Sequence, residues 1–120
     1  MHYRETVLWQ KAMQAAREVY GLIPLLPPEE TYGMRAQITR AAVSIPTNIA
    51  EGWTRETAKD TGHFLAIAQG SLAETETLLT LGEELGWFST TETQVVRGLL
   101  DEVSRMLTAM RRRRRDGGRR

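Results

Sequence analysis

Four side chains able to do chemistry recur along one stretch of this sequence: Arg40, Ser44, Asn48 and Glu51. They step by four, four and three, so on a helix they form one polar stripe. Glu74 follows on a later segment and is the natural carboxylate partner for Arg40 and Asn48, because it interrupts an otherwise apolar row. The five residues support two readings: a buried hydrogen-bonded network that fixes helix register, or a pocket for a ligand or nucleic acid. Ser44, Ser71 and Glu74 also resemble parts of a hydrolytic site, but a serine nucleophile needs a base to take its proton. The only histidines are His2, at an expected frayed terminus, and His63, which stands alone on a helix. There is no cysteine, no second ligand beside His63 at metal-binding spacing, and no glycine-rich phosphate loop. The expectation is therefore a protein that is not an enzyme, with no catalytic residue, metal or cofactor.

A second set is purely electrostatic. Arg111, Arg112, Arg113, Arg114 and Arg115 are consecutive, and Arg119 and Arg120 end the chain. Residues 1–110 carry nine Lys/Arg against fourteen Asp/Glu, a net of −5, whereas residues 111–120 carry seven Arg and one Asp, a net of +6. Arginine runs of this kind bind phosphate backbones through counterion release, with anionic membrane surfaces as the next class of partner and a merely solubilising tail as the bland alternative. No aromatic, Asn or Gln interleaves the run, so base-specific reading is not expected.

The elements that must position these residues are helical throughout. Leu8, Ala12, Ala15, Val19 and Leu22 step by four and three, predicting a first helix over 5–22, with Trp9, Ala16, Tyr20 and Ile23 as a second stripe beside it. Two apolar stripes imply two neighbours, so Trp9, Tyr20 and Ile23 are expected at a subunit interface. Pro24, Pro27 and Pro28 break this helix. The second helix, over 30–51, contains Pro46, yet apolar spacing passes through it from Ile45 to Ile49, which predicts one kinked helix. Ser44, Thr47 and Asn48 flank the kink and can bond the freed backbone groups, and Gly52 is placed to end the helix in a left-handed conformation. The third helix, over 57–85, has two rows, Leu65-Ala68-Leu72-Thr75-Leu79 and Phe64-Ile67-Ser71-Glu74-Leu78-Leu81-Leu85, and its Gly70 suggests a close backbone approach. Gly86 closes that helix, and Ser89 with Glu92 is a capping box for the fourth, expected to end near Arg112. The predicted architecture is an all-α, up-down-up-down four-helix bundle over 1–112, with a basic mobile tail over 113–120.

Several segments together resemble one bacterial family: Leu8 to Met13, Glu18 to Tyr20, Tyr32 to Met34, Gln37 to Gly52, and Gly70 to Glu74. They are similar to the "four helix bundle protein" family, first known from proteins encoded in intervening sequences of bacterial large-subunit ribosomal RNA genes. They are similar too to the accessory variability proteins of diversity-generating retroelements. The resemblance runs from residue 7 to about 108, and Trp53 departs from it where a phenylalanine or tyrosine is common. It implies a four-helix protomer, a homo-oligomeric, pentameric ring and no known enzymatic activity. For the retroelement relatives it implies a reverse transcriptase and nucleic acid as partners. The arginine run lies outside the resemblance.

The N-terminus lacks the apolar run of a signal peptide, and no stretch approaches the roughly 20 apolar residues of a membrane span. A cytoplasmic location follows as an expectation. The combined expectation is a non-catalytic oligomeric scaffold or adaptor that contacts RNA or DNA, or a nucleic-acid enzyme, through its basic residues. The alternative is a purely structural protein–protein assembly module.

Overall fold

A computed structural model describes the chain from Met1 to Gly118, with side chains described as far as Arg113. Four helices, α1 (Val7–Leu22), α2 (Met34–Trp53), α3 (Ala58–Glu84) and α4 (Thr90–Gly118), form the bundle, and no strand occurs among the described residues. Each helix packs on the next and α4 returns to α1, which is the closed up-down-up-down arrangement.

The local chemistry explains where each helix begins. Thr6 caps α1, its hydroxyl accepting the Trp9 N–H at 3.2 Å. Before it, Tyr3–Glu5 forms a single 3-10 turn with its own capping box: the His2 ring nitrogen accepts the Arg4 N–H, and the Glu5 carboxylate accepts the His2 N–H. His2 is thus a cap rather than a frayed end. α2 starts at Met34, later than the expected residue 30, because Pro28–Glu30 forms a separate 3-10 turn. Glu30 still serves the helix, its carboxylate accepting the Met34 N–H at 3.0 Å. Thr57 caps α3, and Ser89 and Glu92 cap α4 reciprocally, at 2.8 and 3.1 Å.

Helix ends depart from expectation in two places. Gly52 is not a left-handed terminator: α2 runs on to Trp53, and Gly86 is the glycine with positive φ, at 80°. Gly52 is instead the point of close backbone approach. A Cβ there would lie 3.3 Å from both the Phe64 Cβ and the Thr61 carbonyl oxygen, and Thr61 donates its hydroxyl to the Gly52 carbonyl at 2.9 Å. Gly70 has no such neighbour within 4 Å and is exposed. The second departure is α4, which runs through Arg112 to Gly118 instead of ending near Arg112. Arginine is among the better helix formers, so the run extends the helix, and two terminal glycines cost only about 1 kcal/mol each.

The core is one stripe per helix. Leu8, Ala12, Ala15, Val19 and Leu22 are all buried, facing Ile38, Ala42, Ile45 and Ile49 of α2, the Leu65-to-Leu79 row of α3, and Val96, Leu100, Val103 and Leu107 of α4. The second row of α3 reaches the core only at Leu78: Ile67, Glu74, Leu81 and Leu85 are exposed. α2 is continuous through the buried Pro46. Proline cannot donate to Ala42, and the adjacent carbonyls gain side-chain donors: Thr47 to Val43 at 2.8 Å and Asn48 to Ser44 at 2.8 Å.

Candidate functional site

Of the five polar residues expected to act together, the structure joins two. Asn48 donates to the Ser44 carbonyl and, at 2.9 Å, to its hydroxyl, and the Ser44 hydroxyl meets the Ser71 hydroxyl of α3 at 2.7 Å. These groups are half-buried and fully bonded to one another, a polar clasp between α2 and α3. Ser71 is the member that sequence reasoning placed in a row without assigning it this role. Arg40, Glu51 and Glu74 are exposed, so the five do not form a buried network. Glu51 pairs within its own helix end, with Arg55 at 2.8 Å, while the Arg55 guanidinium sits 4.5 Å over the Phe64 ring. Glu74 falls on the exposed row of α3 and needs no partner, since a solvated carboxylate carries no burial cost. Among the described residues it makes no ion pair with Arg40. No histidine bonds the serine pair, and no group of His, Asp and Glu among the described residues is arranged to hold a metal.

The more buried ion pair lies elsewhere. Glu83 of α3 accepts from Arg97 of α4 at 2.6 and 2.9 Å and from the buried Thr93 hydroxyl at 3.0 Å. The Arg97 hydrogen bond holds the Glu83 carboxyl below the ordinary carboxylate value, against the opposing effect of burial. This cross-link fixes α4 against α3 and has the character of a structural tie.

Between the outer faces of α1 and α2 runs an apolar groove of about 660 Å³, walled by Trp9, Met13, Tyr20, Val43 and Pro46. It continues past Tyr20 into a shallower depression of about 420 Å³ with Arg40, Ser44 and Asn48 on its floor and rim. Trp9 and Tyr20, expected at a subunit interface, wall this groove, whereas Ile23 lies in the following 3-10 turn beside a different depression. Met13, Val43 and Pro46 are the apolar members that sequence reading did not assign to this surface. Val43, 41% exposed, marks it on the α2 side, one turn from Thr47.

The arginine run is carried on α4. Successive helical residues turn by about 100°, so five consecutive arginines cannot share one face, and among the described side chains one meets the bundle. That one is Arg111, which donates to the Gln69 side-chain oxygen at 2.8 Å, while the Gln69 amide donates to Thr108 at 2.9 Å. Gln69 thereby splints the base of the arginine segment to α3. Arg112 and Arg113 are exposed. The side chains of Arg114 and Arg115, and all of Arg119 and Arg120, lie outside the described residues. No described helix is long and apolar enough to cross a membrane.

Comparison with known proteins agrees with this geometry. Among solved structures, the chain is similar to a protein of unknown function from the S23 ribosomal protein family of Bacteroides thetaiotaomicron VPI-5482. The two share 25% identity over 87% of this chain and 97% of the other, with a TM-score of 0.79. No curated protein matches the sequence. The family model for "23S rRNA-intervening sequence protein" matches residues 4–109, which takes in α1, α2, α3 and most of α4 and stops short of the arginine run. The chain therefore belongs to the 23S rRNA-intervening sequence protein family, and its arginine segment lies beyond the matched span.

Proposed function

We propose that the protein is a non-catalytic, self-assembling scaffold that contacts nucleic acid through the arginine-bearing end of α4. The observation that carries this reading is the Gln69 splint, which fixes the orientation of a helix bearing consecutive arginines just beyond the family's shared span. An ordered helix keeps more of its binding energy than a floppy tail, because less side-chain and backbone entropy is lost on contact. The groove between α1 and α2 supports the assembly half: Trp9 and Tyr20 give it an apolar wall of the kind that subunits cover. A homo-oligomeric ring, pentameric as the family resemblance implies, would gather several arginine segments and raise avidity without any single strong site. RNA, DNA or a partner enzyme of nucleic-acid metabolism such as a reverse transcriptase are the partners this surface suits, in the cytoplasm.

The test joins light scattering on a sizing column with titration of labelled RNA and DNA duplexes across a salt series. The expected result is a multi-subunit species that binds both duplexes, with log affinity falling linearly in log salt. Replacing Arg112, Arg113, Arg114 and Arg115 by alanine should flatten that slope by about 0.9 for each duplex DNA phosphate that is no longer neutralised. An assembled protein that binds neither duplex at low salt would refute the nucleic-acid half and leave a protein–protein assembly module.

A further inference from the structure

We infer that the exposed face of α3 is a dock for the arginine-bearing end of α4 from a second copy of the chain. From Thr61 to Val96 the sequence contains no Lys or Arg and five carboxylates: Glu74, Glu76, Glu83, Glu84 and Glu92. Most of this stretch is α3, and its outer face carries a shallow groove of about 530 Å³ walled by Ala73, Glu76, Thr77, Leu81 and Glu84. Leu81 and the neighbouring Leu85 are 43% and 53% exposed, so the face combines uncovered apolar surface with negative charge. A partner suited to it must bring aliphatic stems ending in cations, which describes a row of arginines.

On α4, the cations that precede the arginine run already have partners. Arg97 is held by Glu83 and Thr80, and Arg105 by Asp101. The chain's own arginine run is turned away from this face. α3 and α4 are antiparallel, with Arg97 level with Glu83 and Arg111 level with Gln69, so α4 beyond Arg111 advances towards the N-terminal end of α3. Measured from Gln69 in the opposite direction, Glu76 and Glu84 lie about 10 and 22 Å along the axis at ~1.5 Å per residue. The protomer is thus charged negative along one half of the α3/α4 pair and positive beyond the other. Neutralisation within one copy is ruled out by direction, while contact between copies brings complementary surfaces together. Such a contact is head-to-tail, and repeated contacts of that type close into rings or propagate. It also sets the arginines between two claimants, a neighbour's α3 and a phosphate backbone, so assembly and nucleic-acid contact would compete for the same charges. The docking itself does not depend on nucleic-acid binding and is tested in its absence.

The experiment is sedimentation velocity on nuclease-treated full-length protein from about 50 to about 500 mM salt, where screening changes most for exposed charges. Two variants, Glu74→Lys/Glu76→Lys/Glu84→Lys and Arg112→Glu/Arg113→Glu, and a mixture of the two are compared with wild type. The expected result is salt-sensitive self-association in wild type, association weakened about tenfold or more in each variant alone, and recovery when the two are mixed. Recovery on mixing cannot come from variants that have merely lost their fold, and circular dichroism of each alone confirms the helix content. Association that ignores salt and both reversals, or a mixture no better than its components, would overturn the proposal. A wild-type chain that stays monomeric at low salt would overturn it as well.

Discussion

Two glycines on α3 make opposite predictions for the same substitution. Alanine is about 1 kcal/mol better than glycine inside a helix, so Gly→Ala is favourable wherever the new methyl finds room. At Gly70 nothing lies within 4 Å of the added Cβ, and Gly70→Ala is expected to stabilise by about 1 kcal/mol. At Gly82 the Cβ would sit 2.5 Å from both Cδ2 and Cε2 of Phe88. Carbon contacts are comfortable at about 3.5–4.0 Å, so the ring must retreat by about 1 Å or more. It has little freedom to do so: Phe88 is 3% exposed, and its own N–H and that of Trp87 donate to the Gly82 carbonyl. Overpacking of this kind costs about 1–3 kcal/mol, which cancels or outweighs the propensity gain. The two variants should therefore differ by about 1–3 kcal/mol, with Gly82→Ala the less stable. For a domain of this size that is a melting-temperature gap of roughly 3–15 °C. Thermal and urea unfolding at one fixed protein concentration would measure it, since assembly makes the midpoint concentration-dependent. Equal melting of the two variants, or a more stable Gly82→Ala, would refute the packing of Phe88 against α3.

Two further outcomes follow from the α3/α4 contacts. Because the folded-state pKa of Glu83 is depressed below its ordinary value of 4.5, the stability it contributes is present above that value and lost as pH falls through the folded one. Glu83→Gln should cost about 1–2 kcal/mol near pH 7, and the gap to wild type should narrow in urea unfolding as pH falls below 4.5 and through the depressed folded-state value; a gap that persists undiminished in acid would contradict the charged pairing. Gln69→Ala removes both bonds of the splint, worth about 1 kcal/mol together at a partly exposed site, and should speed amide exchange roughly fivefold from Thr108 to Arg113 while leaving the Val96–Val103 segment protected. Unchanged exchange at Arg111 would show that the splint does not order the arginine segment.

Helix number, the buried stripe of each helix and the capping signals are legible in the sequence, because they depend on neighbours within a turn or two. Leu8 to Leu22, the Leu65 to Leu79 row and the Ser89–Glu92 box all lie where their spacing places them. The resemblance to the family is likewise carried by local strings such as Gln37 to Gly52, and the family model matches residues 4–109. Which face of a helix meets another helix, and which meets water, is decided only by tertiary packing. The row through Glu74 has the same periodicity as the row through Leu72, yet the bundle covers the whole of one and leaves Ile67, Glu74, Leu81 and Leu85 of the other exposed. Periodicity fixes the angle between two stripes and says nothing about how many neighbours exist to cover them. The same holds for Gly52 and Gly70: the sequence suggests a helix end at the first and a close approach at the second, and only the crossing of α2 over α3 determines that Gly52 receives the approach. The direction of the arginine run is also a tertiary fact. Its charge is written in the sequence, but Gln69, far away along the chain, sets where that charge points.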